Sequence, residues 1–493
     1  MASVFSEIDR RTNKSSLFWH HSESNPMLDI DQNKLYEGVL KIPIPNSLWK
    51  ERKFVLTKSS IYYYEEGGNL SQLRSCISWK HAESFYEKCS DEMRYGFRIS
   101  QNRSSQDFYT KNTDELDIWM GFLSKVCIMS DLDDNYEIIK ELGKGKYAEV
   151  SLAKDLDTNE EVAIKSISKE LIKESSRGVS GVVNEIDIMR KIKHPNVIGL
   201  QKVFESESHV HLIVDYIPGG DLFQRILEKG PFSLKMAEKF IKNLLSVLDY
   251  IHSMNIIHRD IKPENIIMKT HENDFDFKLS DFGLASDSTE PQTLRCGSLG
   301  YVAPEILRKE PYTKKVDVFS AGIILFIILT GQDPFPSKDA NDKLKRNKKG
   351  VLYFQEKYWK TIPKIAIDLL RKLTENDPEA RYNAKQALQH PWLNPGRNLF
   401  ENDEINCSKK VAERLSFGDS SKKEMKRPSS VAPDLKSEYF KIRIKQGKHF
   451  TVQQPHCISR RNSPKKLREA ILANPGYDHV ASKKQIGNSN GLL

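Results

Sequence analysis

Cysteine is scarce in this chain, whose 493 residues contain only six, scattered over the whole length without a C-x-x-C pair. That distribution supports neither a disulfide framework nor a zinc site. We therefore expect reduced thiols in a cytosolic protein.

Long apolar runs are equally rare. The only extended one, Val316–Leu329, is interrupted by Asp317 and by the small residues at 320–322. It is too short and too polar for a membrane span, so we expect a buried core helix.

Targeting and calcium-binding signals are missing as well. The N-terminus lacks the charged, apolar, then small-residue order of a secretory signal, and alanine at position 2 excludes N-myristoylation. No stretch has the spaced Asp/Asn ligands, central glycine and closing glutamate of an EF-hand loop.

Positive charge is unevenly placed along the chain. The net charge is +9, and 29% charged with 38% hydrophobic residues suits soluble globular domains. Beyond Trp392 the chain carries about 20 Lys and Arg against about 10 Asp and Glu, which accounts for the whole excess. The excess positive charge lies in a C-terminal tail, so we expect no nucleic-acid partner. The length predicts roughly two to four domains.

The most informative stretch that is present is His258–Asn265. It places a carboxylate, Asp260, an ammonium, Lys262, and an amide, Asn265, in one short loop between apolar pairs. Further along, Asp281 opens an Asp-Phe-Gly sequence, a turn that glycine permits. This set predicts a phosphoryl-transfer centre. One carboxylate would receive the attacking hydroxyl, and the other, with the amide, would hold metal ions on the nucleotide phosphates.

Two further motifs lie upstream of that centre. Gly143 and Gly145, within Leu142–Val150, lie between strand-like runs and let backbone amides approach phosphates closely. Lys165 ends the apolar strand that follows. With these motifs, residues 136–393 resemble a Ser/Thr protein kinase with two lobes, although Ala148 stands where a third glycine is usual. The stretch Gln389–Leu393 resembles the last helix of the calcium/calmodulin-dependent group.

The resemblance implies a role for each motif residue. Asp260 would accept the proton of the substrate hydroxyl, Lys262 would steady the γ-phosphate, and Asn265 and Asp281 would hold Mg²⁺ on ATP. Lys165 would contact the α- and β-phosphates, with Glu185, favoured over Glu174 by its spacing, as its helical partner. The other residues expected around the nucleotide are Leu142, Gly143, Gly145, Val150, Ala163, Val214, the backbone of Asp215 and Ile217, and Asp221.

Three structural roles also follow from the resemblance. His258 would be buried beneath the catalytic loop, and Asp317 would cap that loop's backbone from a following helix. Glu305 would pair with Arg381.

The activation segment, which runs from the Asp281 turn to Glu305, departs most from the family pattern. Ser298 and Leu299 stand where relatives have Thr and Pro; the serine keeps the hydroxyl that contacts the catalytic aspartate. Arg259 normally grips a phosphate, yet the usual phosphosite is Leu294, and Thr293 lies one residue away. Either Thr293 is phosphorylated in a shifted register or no phosphate is needed, and the pattern slightly favours the second.

Substrate preference is suggested by two carboxylates, Asp221 and Glu264. They occupy positions where basophilic kinases hold an arginine three residues before the acceptor, which favours R-x-x-S/T. Alternatively, one serves the ribose and the other a local salt bridge.

The region 35–129 reads as short strands closed by the amphipathic helix 113–129, with strands expected at 36–41, 52–57, 61–64, 76–79, 96–100 and 107–110. A small antiparallel β-barrel with a C-terminal helix bearing an inward tryptophan resembles a pleckstrin-homology (PH) domain. The resemblance implies phosphoinositide binding by Lys41, Lys50 and Arg52, with Tyr62 or Tyr63. The alternative is that these charges are only solvated and that the module packs on the kinase or binds a protein.

The sequence therefore predicts an α+β multidomain protein. We expect a flexible segment at 1–34, the PH-like domain at 35–129, a linker at 130–135, the kinase domain at 136–393 and a disordered basic tail at 394–493. The order of domains looks closest to protein kinase D, without its zinc-binding modules.

Within the tail, 436–450 mixes basic and aromatic residues, but its apolar period is wrong for a calmodulin-binding helix. Two stretches, at 427–430 and 460–463, match the expected R-x-x-S consensus. The alternative function, a catalytically dead scaffold that binds phosphoinositide, conflicts with an intact motif set. We expect a cytoplasmic enzyme that reaches membranes peripherally.

Overall fold

The computed structural model describes residues 3–5, 18–21, 25–44, 48–65, 67–89, 92–102, 104–145, 148–175, 177–287, 289–352 and 359–394. The expected tail beyond 394 lies outside these residues. The chain divides into two compact units. We call residues up to 175 together with 201–214 the sheet unit, and residues 176–200 together with 215–394 the helical unit.

The sheet unit is built on one mixed sheet of fourteen strands. They are β1 (His20–His21), β2 (Lys34–Ile44), β3 (Leu48–Thr57), β4 (Ser60–Tyr64), β5 (Leu70–Cys76), β6 (His81–Cys89), β7 (Glu92–Gln101), β8 (Ser104–Thr110), β9 (Ile128–Met129), β10 (Tyr136–Lys144), β11 (Ala148–Asp155), β12 (Glu161–Ser168), β13 (Leu200–Glu205) and β14 (His209–Asp215). Their order across the sheet is β1-β5-β4-β3-β2-β8-β7-β6-β9-β13-β14-β12-β11-β10.

The two-residue strand β9 joins two antiparallel sets into this single sheet. Ile128 pairs with His81 of β6 on one side and with Val203 of β13 on the other, in both cases in parallel. The strands before and after β9 therefore share one continuous hydrogen-bonded framework.

The described residues of the sheet unit form four helices: α1 (Pro26–Asn33), α2 (Thr113–Leu123), α3 (Leu132–Asn135) and α4 (Lys169–Glu174). The side chain of Asn112 caps the start of α2 by accepting from a first-turn amide. The inner face of α2 is buried in an aromatic core through Leu116, Trp119 and Leu123. Opposite it, a Cβ on Gly38 would lie 3.2 Å from Trp119, so glycine is what lets the helix approach β2.

Two expectations for this region were wrong. The helix ends at Leu123 and not at 129, because a tight turn follows and residues 128–129 bond into the sheet. Cys76–Trp79 is not a strand, since β5 ends at Cys76 and a turn leads into β6, which was not predicted from the sequence. Within the segment 1–34, the described residues include 3–5, β1 and α1.

The ordered residues near the N-terminus meet a buried carboxylate, Glu205. Ser3 Oγ donates to Glu205 at 2.7 Å, the Val4 amide at 2.6 Å, and Lys169 Nζ lies 2.9 Å away. His81 Nε2 is 2.7 Å from the same carboxylate. We call these five residues the Glu205 cluster. It ties the N-terminal segment and β6 to β13 and α4.

The charge of this cluster is stabilised from several sides. Burial alone raises the pKa of Glu205, but the hydrogen bonds that the carboxylate accepts outweigh burial and lower its pKa to about 2. Glu205 is only 9% exposed. A carboxylate that stays ionised at this depth must keep its donors, so the parts of the chain that supply them are held together.

The helical unit contains the longer helices of the chain. Its described helices are α5 (Gly178–Lys191), α6 (Leu222–Lys229), α7 (Leu234–Ser253), α8 (Pro304–Arg308), α9 (Lys315–Thr330), α10 (Ala340–Lys349), α11 (Lys364–Leu373) and α12 (Ala384–Leu388). Two small antiparallel sheets of two strands each flank the polar loop at 258–265: β15 (Ile256–Ile257) pairs with β18 (Ser286–Asp287), and β16 (Ile266–Met268) pairs with β17 (Phe277–Leu279).

Helix α9 is buried along nearly its whole length, which confirms the core helix expected from its apolar sequence. It packs against α7 and α11. In the described part of the chain, no helix is long and apolar enough to cross a membrane.

We predict that Glu205→Gln destabilises the protein by about 3 kcal/mol at pH 7, because the folded carboxylate has a pKa below its ordinary value. This stabilisation is present above about pH 4.5 and is lost as the pH falls towards 2, where wild-type Glu205 also becomes neutral. Melting temperatures measured between pH 3 and 7 test this.

Glu207→Gln, which changes an exposed neighbour, is the matched control and should melt like wild type. A Glu205→Gln deficit that stays constant across this pH range would contradict the account.

Candidate active site

The polar loop of the helical unit is positioned by a buried aspartate. Asp317, on α9 and 1% exposed, accepts from the backbone amides of His258 and Arg259, each at 2.8 Å. His252 Nε2 lies 2.9 Å from the same carboxylate. Burial opposes ionisation, but these hydrogen bonds hold the pKa of Asp317 below its ordinary value. The expected capping role of Asp317 is confirmed.

Asp260 lies at the centre of this loop and is 6% exposed. Its Oδ2 accepts from Lys262 Nζ at 2.6 Å and from Asn265 Nδ2 at 3.1 Å, while Oδ1 accepts from Ser298 Oγ at 2.7 Å. Lys262 Nζ also donates to Ser298 Oγ at 3.1 Å. The hydroxyl contact expected of Ser298 is confirmed. A carboxylate held in this way is suited to orienting a hydroxyl and receiving its proton.

Asn265 and Asp281 are brought close by the β16–β17 pair. Ser280, next to Asp281, donates to the Asn265 carbonyl through its amide at 2.8 Å and through Oγ at 3.0 Å. Asp281 has φ +61°, a left-handed conformation that turns the chain at this point. Asn265 uses its Nδ2 on Asp260, which leaves its amide oxygen available. An amide oxygen and a carboxylate are the oxygen donors that suit a hard divalent cation.

The supporting contacts of this region match expectation. His258 is fully buried, with Nε2 3.1 Å from the Ser280 carbonyl. Arg381 forms a buried bidentate pair with Glu305, with N–O distances of 2.6 and 3.0 Å. Both structural roles are confirmed.

In the sheet unit, three neighbouring strands gather most of the expected nucleotide residues. Gly143 of β10 is opposite Val150 of β11, and Val150 is opposite Lys165 of β12. Ala163 lies on the same side of β12 as Lys165, two residues away. Ala148, where glycine was expected, does not have a positive φ, so its side chain causes no backbone strain. Leu142 precedes Gly143 on β10, and Gly145 follows the end of that strand at the turn.

The remaining expected residues lie on separate elements. Val214 and Asp215 end β14, and the Asp215 amide already donates to the Gly199 carbonyl at 3.2 Å. The Asp215 amide, one of the backbone groups expected to bond adenine, is therefore already engaged within the protein. Glu185 is a buried carboxylate on α5, and Asp221 caps α6 by accepting from Gln224 N at 2.8 Å. Ile217 lies between these elements and is partly buried.

The basic residues of β2 and β3 do not form one cluster. Lys41 is opposite Glu51 in the register and lies 3.4 Å from its carboxylate. Lys50 and Arg52 alternate with Glu51 and so point to the other face of the sheet. Arg52 lies 5.1 Å from the Tyr63 ring centre. Of the two tyrosines considered, Tyr62 is fully buried and donates to Asp29 at 2.8 Å.

Two buried residues near the site were missed from sequence. Asn347 on α10 is fully buried, accepts from the Gly300 amide at 2.8 Å and donates to the Val302 carbonyl at 2.9 Å. Tyr312 lies before α9 and bonds to the segment that contains Leu294. Asn347 lies in a lysine-rich stretch that suggests a solvated helix, and neither residue belongs to a recognisable motif.

Comparison with known proteins decides the family. The sequence model described as protein kinase domain matches residues 136–393, more than half of the chain. The chain belongs to the protein kinase family. A second model, described as PH domain, matches residues 34–128. The sheet unit of the kinase thus combines a PH domain with the first strands of the kinase domain, and the expected order of the two domains is confirmed.

Several relatives of the kinase are themselves named as kinases. Calcium/calmodulin-dependent protein kinase type 1 of Macrobrachium nipponense is 35% identical over 325 residues, 66% of this chain and 86% of that protein. The type 1B enzyme of Mus musculus is 38% identical over 275 residues, 55% of this chain and 79% of that protein. Myosin light chain kinase A of Dictyostelium discoideum is 36% identical over 289 residues, 58% and 97% of the two chains.

These similarities identify the kinase as a protein serine/threonine kinase of the calcium/calmodulin-dependent kinase type with a PH domain. Members of this family use ATP and a divalent metal ion, and they phosphorylate proteins. The expected enzyme class is confirmed.

Proposed function

We propose that the kinase transfers the γ-phosphate of Mg·ATP with Asp260 as the group that orients and deprotonates the acceptor hydroxyl. Lys262 steadies the phosphate, and Asn265 and Asp281 hold Mg²⁺, whose charge offsets that of the phosphates. The observation that carries this proposal is the Asp260 carboxylate, which three donor side chains hold in a nearly buried site. The same intact set argues against a catalytically dead scaffold.

We assign nucleotide binding in the sheet unit to the Gly143–Val150–Lys165 row, with Lys165 contacting the α- and β-phosphates. This assignment is supported by the register, since paired residues on adjacent strands point to the same face. Gly143 and Lys165 both pair with Val150, so the lysine is in register with the strand that enters the glycine-rich turn. Glu185 is its proposed partner.

A preference for arginine three residues before the acceptor rests on Asp221 and Glu264. Asp221 forms a backbone bridge with Ile267, three residues beyond Glu264, so the two acidic residues lie on adjoining elements of the helical unit. Two nearby carboxylates suit a guanidinium, which presents several donors in a fixed plane. The same kinase consensus occurs within its own tail, at 427–430 and 460–463.

We predict that a degenerate peptide library gives Ser/Thr phosphorylation with Arg selected at position −3, and that Glu264→Gln weakens this selection by about tenfold or more in kcat/KM. Peptides without the arginine should be phosphorylated at the wild-type rate, because only the charged contact is removed.

The control is Glu272→Gln, which neutralises an exposed carboxylate and should leave the profile unchanged. KM for ATP is measured for the same variants. An unchanged KM for ATP indicates that the carboxylate binds the peptide and not the ribose. No selection at −3 in the wild-type enzyme would refute the basophilic assignment while leaving kinase activity intact.

For the PH domain, we propose phosphoinositide binding through Lys50 and Arg52, without Lys41. Lys50 and Arg52 share one face of β3, and Arg52 is held beside Tyr63. Lys41 lies on the opposite face beside Glu51. A planar guanidinium next to an ammonium provides the donors that a multiply charged phosphate needs.

We predict that Lys50→Ala/Arg52→Ala lowers binding to phosphoinositide vesicles at least tenfold, since two charge-assisted contacts are lost. Liposome co-sedimentation measures this. Lys41→Ala is the matched control, removes one positive charge from the same strand pair, and should bind nearly as well as wild type. Equal binding by the double variant and wild type would end the lipid assignment.

If the PH domain regulates the kinase, it does so while bonded to the first strands of the kinase domain. The support is the shared sheet through β9 and the Glu205 cluster, in which His81 of the PH domain and Lys169 meet one carboxylate. Deleting residues 1–130 would remove β9 and three partners of Glu205 together. The Lys50→Ala/Arg52→Ala variant, which leaves these contacts in place, is therefore the better test of whether the PH domain recruits or restrains the kinase.

We also propose calmodulin as a partner, because the type 1 relatives are named calcium/calmodulin-dependent protein kinases. The candidate segment at 436–450 lies outside the described residues. We place the kinase in the cytoplasm, with peripheral access to membranes through its PH domain.

A further inference from the structure

The activation segment of the kinase is bonded to one buried tyrosine, Tyr312. This residue is 2% exposed and lies just before α9. Its amide and carbonyl exchange two hydrogen bonds with Gln292, each at 2.9 Å. An isolated antiparallel bridge therefore fixes the segment to the folded helical unit at residue 292.

The hydroxyl of Tyr312 adds contacts on both sides of that bridge. It donates to the Leu294 carbonyl at 2.7 Å and accepts from Arg259 Nη1 at 3.3 Å, with Cys296 Sγ 3.9 Å away. Burial raises the pKa of Tyr312 to about 12. The hydroxyl thus keeps its proton at neutral pH and can serve as donor and acceptor at once.

Arg259 connects this tyrosine to the catalytic loop. It directly precedes Asp260, has φ +66°, and its amide is fixed by Asp317. Besides Tyr312, its guanidinium donates to the Leu284 carbonyl at 2.7 Å and to the Ala285 carbonyl at 3.1 Å. The side chain that would grip a phosphate is thereby engaged with backbone carbonyls and a tyrosine.

A second arginine reinforces the same backbone. Arg177 donates to the Gly283 carbonyl and to the Leu284 carbonyl, the latter at 3.1 Å. Burial and the neighbouring charge of Arg259 lower the pKa of Arg177. The residues that follow Asp281 are therefore held by two guanidinium groups of the helical unit.

Thr293 lies between Gln292 and Leu294, which are both hydrogen-bonded to Tyr312. It is exposed, whereas Gln292 and the Leu294 carbonyl on either side are bonded to the tyrosine. We propose that Tyr312 is a positioning residue that orders the activation segment and Arg259, so that phosphoryl transfer does not require a phosphate on Thr293. The tyrosine hydroxyl makes the link between segment and Arg259 that a phosphate would otherwise make.

The test uses the full chain in four forms: wild type, phosphatase-treated wild type, Thr293→Ala and Tyr312→Phe. We expect the phosphatase-treated enzyme and Thr293→Ala to keep kcat within about twofold of wild type. Tyr312→Phe keeps the ring but loses two hydrogen bonds, so kcat should fall about tenfold with KM for ATP unchanged. Hydrogen exchange at residues 292–296 should accelerate in Tyr312→Phe alone.

Two results would overturn the proposal. A loss of more than tenfold in kcat after phosphatase treatment or in Thr293→Ala would assign positioning to the phosphate. A Tyr312→Phe enzyme with wild-type kcat and exchange would show that the hydroxyl does not position the segment. If Tyr312→Phe fails to fold, the phosphatase-treated wild type decides: retained activity supports the proposal and lost activity refutes it.

Discussion

The carboxylate of Asp260 is almost buried, and burying a charge costs free energy unless hydrogen-bond donors replace the water that it loses. Lys262 and Asn265 provide donors from the same loop, and Ser298 provides one from the activation segment. Asp317, itself buried, fixes the backbone just before Asp260. The geometry of the catalytic loop therefore depends on the packing of α9 and on the activation segment, and not on the loop's own sequence alone.

In the sheet unit, Glu205 is likewise a buried carboxylate that needs hydrogen-bond donors. Its donors come from residues 3–4, from the PH domain and from α4. Because α4 directly follows the strand that carries Lys165, Glu205 connects the PH domain to an element next to that strand. The PH domain is better described as an added part of the kinase's first sheet than as a module on a free linker.

The supporting contacts were predictable because they belong to motifs that are recognisable in the sequence: the Asp317 cap, the contact of Ser298 with Asp260 and the Glu305–Arg381 pair all match expectation. Tyr312 and Asn347 were not predictable, because neither belongs to a recognisable motif and only the fold shows their partners. Lys41 shows a different limit of sequence spacing. It is opposite Glu51 in the register, and strand residues alternate between faces, so it does not share a face with Lys50 and Arg52.

The central claim is that Asp260 handles the acceptor hydroxyl's proton while other groups bind the nucleotide. Its most direct test is single-turnover transfer from ³²P-labelled Mg·ATP to a serine peptide by Asp260→Asn, with ATP affinity measured in parallel. We expect transfer to slow by roughly 10²- to 10⁴-fold with ATP affinity close to wild type. Transfer at the wild-type rate, or failure of the wild-type enzyme to label serine or threonine, would contradict the account.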